Sequence, residues 1–156
     1  MLAAKYAHSR RVTTRQRFVT PATINEVLAA APHDCDVLSI DVDGQDYWLW
    51  QALDVVRPKI VVIEYNSELA DGQPLVEPLH DPACSTGNSG VEGASLAALR
   101  DLGAEKGYKL VYAELAGVNL FFVRDEFASR FPDDIDRRGT NQYLMSRDNY
   151  HHVRQG

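Results

Sequence analysis

Two short apolar runs that end in acidic residues most strongly constrain the fold of this 156-residue chain. The runs span residues 36–42 and 59–65, and both are rich in Val and Ile. Such nearly continuous apolar segments are typical of strands that are covered on both faces of a sheet. Between them, residues 46–53 place apolar side chains at helical spacing, and Arg57-Pro58 ends the helix. The sequence therefore predicts a strand, a helix and a second strand parallel to the first.

The rest of the chain is predicted to complete one α/β domain over residues 1–125, followed by a polar tail over residues 126–156. The further predicted elements are a helix over 2–8, a short strand over 17–19, a helix that starts near Thr20, a helix over 94–107 and strands over 109–114 and 118–123. The last two strands are joined by a short connection, so we expect an antiparallel hairpin at a sheet edge. Residues 66–93 are rich in Pro, Gly, Ser and Asp and predict a long loop, which is either a functional lid or disordered.

The composition excludes several classes of protein. A formal net charge of -6 and a hydrophobic content of 45% describe an acidic globular protein, so we expect no nucleic-acid partner. No apolar run approaches the roughly 18 to 20 residues that a membrane span needs. We therefore expect a cytoplasmic protein that does not associate with membranes.

The candidate site residues follow the two predicted parallel strands. Asp41 and Asp43 close the first strand, Glu64 closes the second, and His80 lies on the long loop. In open α/β sheets, ligands bind outside the carboxyl ends of the strands. Asp41, Asp43 and Glu64 offer the oxygen ligands that Mg²⁺ prefers. Alternatively, Asp41 or Asp43 acts as a general base on a substrate hydroxyl, with His80 as its acid or base partner.

Plainer roles for the same residues stay open at this point. Asp43 also fits the N-cap of the following helix, and Asp41 fits a hydrated strand end. Glu64 fits an ion pair with Arg57 or Lys59, and His80 fits a solvated position on a polar loop.

The ends of these strands carry a family resemblance. Ile40-Asp41-Val42-Asp43-Gly44 resembles the Ile-Asp-Val-Asp/Glu-Gly motif of FkbM-like methyltransferases, which depend on S-adenosylmethionine (SAM). Residues 57–64, Arg-Pro-Lys-Ile-Val-Val-Ile-Glu, resemble the next strand of that family. Gly93-Ala-Ser95 before a helix and the segment over 117–123 are similar to an uncharacterised subgroup. The resemblance covers roughly residues 1–125.

The resemblance implies a Rossmann-like sheet that is mostly parallel, with an antiparallel pair at its far edge. It also implies that Val19 and Thr20 lie near the adenine of SAM and that Asp41 faces the methyl-transfer region. The glycine-rich cofactor loop and the acid for the ribose, which belong to the family's first two strands, are missing from the sequence. We therefore expect the C-terminal half of an O-methyltransferase for a small metabolite or sugar. Whether this chain transfers methyl groups alone is left open.

Two other functions compete with this interpretation. Without the first strand of such a sheet, the strand over 36–42 has an exposed edge, which favours a homodimer formed by a non-enzymatic α/β module. A metal-dependent hydrolase that uses Asp41, Asp43 and Glu64 is the third hypothesis.

Overall fold

The computed structural model describes residues 2–6, 8–70, 72–80, 90–114 and 116–132. Within these ranges, the helices are α1 (Leu2–Tyr6), α2 (Ile24–Leu28), α3 (Asp46–Ala52) and α4 (Leu96–Glu105), and a 3-10 helix spans Asp125–Arg130. The strands are β1 (Val37–Ile40), β2 (Ile60–Glu64), β3 (Tyr108–Ala113) and β4 (Asn119–Arg124). The predicted α/β class is confirmed. Of the predicted polar tail, residues 133–156 lie outside the described residues.

The four strands form one mixed sheet in the order β1-β2-β4-β3. β1 and β2 are parallel, with Val37 opposite Ile60, as the strand–helix–strand pattern predicts. β4 is antiparallel to both β2 and β3. The expectation of a mostly parallel sheet is therefore wrong, because the sheet contains one parallel pair and two antiparallel pairs.

The hairpin of β3 and β4 explains this mixture. The short connection between the two strands makes them antiparallel, as predicted, and β4 then occupies the inner position beside β2. Leu120, Phe122 and Val123 of β4 are buried, whereas Tyr112 of β3 is exposed. β4 thus lies inside the sheet between β2 and β3, and β3 forms the edge.

The core lies where α3 and α4 pack on the sheet. Trp50 of α3, which the helical spacing predicts to be a core residue, is fully buried. Its ring centroid lies 4.8 Å from that of Phe122 and 5.9 Å from that of Tyr108. Leu99 of α4 is also fully buried. These contacts hold both helices to the central strands and fix the position of the turn that follows β1.

The prediction of a short strand over residues 17–19 is wrong. These residues have no regular secondary structure, and the Phe18 side chain is 70% exposed. The preceding segment binds to a helix instead of a strand, since Arg15 Nη1 donates to the Val27 carbonyl at 2.9 Å. Only Val19 of the three is partly buried, and a triplet without a neighbouring strand offers too little pairing to form a sheet edge.

The edge of β1 opposite β2 carries no strand among the described residues. Val37 on this strand is 56% exposed. The first two strands that the family resemblance implies are not found in the part of the chain that the structure describes. The exposed edge that favours a homodimer is present there, and the homodimer itself stays a prediction.

Part of the predicted long loop is well anchored. We call its described part, residues 72–80, the strap. Val76 of the strap forms an antiparallel bridge with Ala94. Ser95 is the N-cap of α4, and its hydroxyl donates to the Gln73 carbonyl at 2.7 Å. The strap is thus tied to the N-terminus of α4.

None of the helices in the described ranges is long and apolar enough to cross a membrane.

The close approach of α4 to the sheet depends on Gly103. A Cβ atom at this position would lie 2.7 Å from Phe122 Cε1 and 3.2 Å from Trp50 Cη2, and both rings are fully buried. We expect Gly103→Ala to lower the free energy of unfolding by about 1–3 kcal/mol, because the core has no room for the methyl group. Urea denaturation measures this change.

The matched control is Ala104→Gly at the next, exposed helix position. Helix propensity alone predicts that the free energy of unfolding falls by about 1 kcal/mol in this control and rises by a similar amount in Gly103→Ala. A gain of stability in Gly103→Ala would contradict the tight packing of α4.

Candidate functional site

A cleft of about 920 Å³ lies at the carboxyl ends of β1 and β2. This is the sheet edge at which the sequence predicts a binding site. The cleft walls come from five segments, which are residues 17–21, 42–46, 64–68 and 116–118 and the strap with residues 92–93. Its volume falls in the range of about 300–1,000 Å³ that is usual for small-molecule sites.

A buried carboxylate fixes the turn that follows β1. Asp46 is only 3% exposed, and it accepts hydrogen bonds from Val42 N at 3.1 Å and Gly44 N at 3.2 Å. Asp43 and Gly44 between them have φ values of 55° and 108°. Burial raises the pKa of Asp46, and the backbone hydrogen bonds oppose this rise. The N-cap of α3 is Gln45, so Asp43 does not serve as that cap.

The turn brings three acids together. Asp41, Asp43 and Glu64 each place a carboxylate oxygen within 4.8 Å of the other two. Asp41 and Asp43 are exposed, whereas Glu64 is partly buried. Of the three, Asp43 and Glu64 line the cleft. We call these three side chains the acidic triad.

The pKa of Glu64 is strongly raised. Burial, and then the charges of Asp46, Asp41 and Asp43, raise its pKa from 4.5 to about 7. Its Oε2 atom is buried and has no hydrogen-bond partner among the described residues. The ion pair with a nearby cation that the sequence left open is not found in the described ranges, and Lys59 binds Asp36 instead at 2.6 Å. Glu64 is therefore poised to exchange a proton near neutral pH.

His80 is held by the strap and by the turn. Its Nδ1 atom lies 3.1 Å from Gln45 Nε2, 3.3 Å from the Pro78 carbonyl and 3.4 Å from Glu77 Oε1. The His80 side chain is 29% exposed and lines the cleft, so it is more than a solvated loop residue. The sequence did not single out Glu77 or Gln45. The one local signal was the spacing of three residues between Glu77 and His80.

Glu77 connects the strap to the turn. The residue is 8% exposed, and its Oε2 atom accepts a hydrogen bond from Gly93 N at 2.9 Å. Trp48 Nε1 of α3 donates to the Glu77 carbonyl at 2.8 Å. A Cβ atom on Gly44 would lie 2.6 Å from Glu77 Oε2, so a side chain at position 44 would collide with this carboxylate. The glycine of the strand motif thus allows the strap to approach the turn.

The remaining residues implied by the family resemblance occupy another part of the cleft. Val19 and Thr20 line its wall within the irregular segment before α2. The Thr20 carbonyl accepts hydrogen bonds from Thr23 N and Ile24 N, each at 2.9 Å, which fixes this segment at the start of α2.

The charged side chains of the cleft wall are mostly acidic, which determines the charge of the ligands that it favours. The acidic residues in its wall are Asp43, Asp46, Glu64, Glu68, Glu77 and Glu92, whereas its basic residues are Arg17 and His80. Arg17 in turn lies 3.6 Å from Glu26. Such an excess of carboxylates repels phosphates and other anions and attracts cations and hydrogen-bond donors.

The raised pKa of Glu64 predicts how stability depends on pH. Between about pH 4.5 and pH 7, the folded protein retains a proton that the unfolded chain releases. The contribution of Glu64 to the free energy of unfolding therefore falls as the pH rises through this window and is then constant. Glu64→Gln lacks this titration. We therefore expect the free energy of unfolding of Glu64→Gln, relative to that of the wild type, to be about 1–2 kcal/mol higher at pH 8 than at pH 4.5, after allowance for solvent screening.

Urea denaturation at both pH values measures this difference. The matched control is Glu105→Gln on the exposed end of α4, whose difference from the wild type should stay constant with pH. A Glu64→Gln curve parallel to that of the wild type would show that Glu64 titrates normally.

The sequence matches no family model and no curated protein, and no solved structure matches the fold. The family resemblance of the two strand motifs, and the function that it implies, therefore depend on this chain's own residues and their arrangement.

Proposed function

We propose that this chain forms the acceptor-binding part of a SAM-dependent O-methyltransferase of the FkbM-like kind. The observation that carries this proposal is the position of the Ile40–Gly44 motif. The motif ends β1 and delivers the acids of a cleft, which is where the family resemblance requires the methyl-transfer region. The proposal includes a Rossmann-like arrangement of the parallel strands.

The sheet supports this proposal through its far edge. The resemblance implies an antiparallel strand pair there, and β3 and β4 form such a pair beside the parallel strands β1 and β2. The second motif, residues 57–64, covers β2 and ends at Glu64. Both motifs thus end at the same side of the cleft.

The charge of the cleft suits SAM. When bound, SAM supplies an electrophilic methyl group on a positively charged sulfonium, and the carboxylates of the cleft wall favour a cation. Val19 and Thr20 lie in the same cleft and are proposed to contact the adenine. The acidic side chains of the cleft wall therefore fit the sulfonium.

Glu64 is the proposed proton acceptor. A hydroxyl acceptor must lose its proton as its oxygen attacks the methyl carbon, and a carboxylate with a pKa of about 7 accepts that proton efficiently at neutral pH. Asp43, in the same acidic triad, is proposed to orient the hydroxyl. Asp41 stays in the triad but outside the cleft wall, so we propose that it acts through its charge on Glu64.

Calorimetric titration with SAM and with its neutral product, S-adenosylhomocysteine, tests the proposal. At pH 8, where Glu64 is charged, we expect SAM to bind more tightly than the product, because only SAM carries the sulfonium. Glu64→Gln should reduce this preference about fivefold, which corresponds to about 1 kcal/mol. Glu105→Gln, which lies outside the cleft, should leave the preference unchanged. If neither molecule binds, or if Glu64→Gln prefers SAM as strongly as the wild type does, the proposal is contradicted.

A metal-dependent hydrolase is the second candidate, and the geometry of the acidic triad favours it. The oxygens of Asp41, Asp43 and Glu64 are close enough to bind one hard cation after a small adjustment. A divalent ion held there would lower the pKa of a bound water and provide a nucleophile.

Thermal unfolding in the presence of Mg²⁺ tests this candidate. If the triad binds the ion, 10 mM MgCl₂ should raise the Tm of the wild type and leave that of Asp43→Asn unchanged (about 10 mM is a saturating level for a weak site). An equal response of the two proteins removes the hydrolase candidate. Self-association through the β1 edge stays the non-enzymatic alternative.

A further inference from the structure

The surroundings of His80 determine which of its ring nitrogens carries a proton. Three polar groups surround Nδ1, which are Glu77 Oε1, the Pro78 carbonyl and the side-chain amide of Gln45. A carboxylate oxygen and a carbonyl oxygen are both acceptors, so they favour an N–H group at Nδ1. A lone pair on Nδ1 would face both oxygens at 3.3–3.4 Å and be repelled by them.

Gln45 is the one neighbour that can change its role. Its Nε2 atom lies beside His80 Nδ1, while its Oε1 atom is buried without a hydrogen-bond partner among the described residues. A half-turn of the amide exchanges these two atoms at nearly no change of shape. After this rotation, the side-chain oxygen of Gln45 lies beside Nδ1. It is then an acceptor, like Glu77 Oε1 and the Pro78 carbonyl oxygen. All three neighbours then favour a proton on Nδ1.

Glu77 is itself fixed in the orientation that this arrangement requires. Gly93 N donates to its Oε2 atom at 2.9 Å, which leaves Oε1 for His80. The backbone of Glu77 is held by Trp48 Nε1 at 2.8 Å, and the side chain is almost fully buried. Glu77 Oε1 therefore faces His80 Nδ1 at 3.4 Å from a fixed position, where it can only accept a hydrogen bond.

We infer that Glu77 holds neutral His80 as the Nδ1–H tautomer and thereby makes its Nε2 atom a hydrogen-bond acceptor for a hydroxyl group in the cleft. Nε2 has no partner among the described residues, and the partly exposed ring lines the cleft. The neutral ring then has its lone pair on Nε2. Glu77 is a positioning residue that acts through His80.

The inference narrows the class of the acceptor molecule, and in this respect it rests on the proposed methyltransferase function. Glu64 and His80 Nε2 both seek hydrogen-bond donors, and the carboxylates of the wall repel anions. The acceptor that fits is an uncharged compound with at least two hydroxyl groups, one for Glu64 and one for His80. Sugars and other polyols have this chemistry, whereas phosphorylated sugars do not.

Nitrogen-15 NMR of the full chain, labelled at its five histidines, tests the tautomer without SAM or an acceptor. His80→Asn identifies the His80 signals, and exposed His8 is the reference for an imidazole in water. At pH 9, well above the usual histidine pKa of about 6.5, we expect a protonated Nδ1 and an unprotonated Nε2 in the wild type. A protonated Nε2, or the same tautomer mixture as His8, overturns the inference.

Glu77→Gln tests the role of the carboxylate. The amide that this substitution introduces should keep its oxygen on Gly93 N, since that donor cannot move, and turn its amino group towards His80 Nδ1. The Gln45 amide can then keep its amino group beside Nδ1 as well, so two of the three neighbours favour a lone pair there, and we expect His80 to shift to the Nε2–H tautomer. Glu105→Gln should show no shift, and Gln45→Met should keep the Nδ1–H tautomer because Glu77 and Pro78 remain. An unchanged tautomer in folded Glu77→Gln overturns the role of Glu77, and the wild-type spectrum decides the tautomer even if this variant does not fold.

Diethyl pyrocarbonate tests whether Nε2 is available in the cleft. This reagent acylates an unprotonated, accessible ring nitrogen, and peptide mass spectrometry locates the product. We expect His80 to react in the wild type and to react at least severalfold more slowly in Glu77→Gln, with His8 as the internal reference. An unreactive His80 in the wild type overturns the availability of Nε2. Because none of these readouts involves methyl transfer, they can fail while SAM binding succeeds, and the reverse.

Discussion

The hydrogen bonds from Val42 N and Gly44 N to the buried Asp46 carboxylate are the interaction on which the site depends. They close the chain into a tight turn directly after β1, and the backbone of Asp43 adopts a positive φ within it. A burial this deep is tolerable for a carboxylate only because backbone donors surround it. Through this turn, the buried Asp46 carboxylate sets the direction of Asp43 and the start of α3.

A second constraint is the crowding of negative charge beside that turn. Burial raises the pKa of Glu64, and the negative charges of Asp46, Asp41 and Asp43 raise it further. A proton, a metal ion or a cationic ligand each relieves the repulsion. The methyltransferase and hydrolase hypotheses therefore both place a positive charge beside the same carboxylates, and for that reason they involve the same residues.

Features of this protein that depend on residues close in the sequence could be predicted, whereas features that depend on distant residues could not. The parallel pair over 36–42 and 59–65 was predictable, because two runs of apolar β-forming residues on either side of a helix are typical of a strand–helix–strand unit. Among the described residues, the cover on both faces that these runs predict is not found for β1, where Val37 is 56% exposed. The inner position of β4 was not predictable, because it depends on pairing with β2, which is distant in the sequence. The error over 17–19 arose because an apolar triplet does not reveal whether a neighbouring strand exists. Glu77 was missed because its decisive partner, Gly93, is sixteen residues away.

The attachment of the strap has a consequence for motion. Ser95 caps α4 with the same hydroxyl that donates to Gln73 of the strap, and Trp48 holds the other end of the strap to α3. Lifting the strap would expose the first turn of α4 and break the bond to α3 at the same time. The strap and the two helix starts are therefore linked by shared hydrogen bonds, so we expect them to open together as one cooperative unit and not separately.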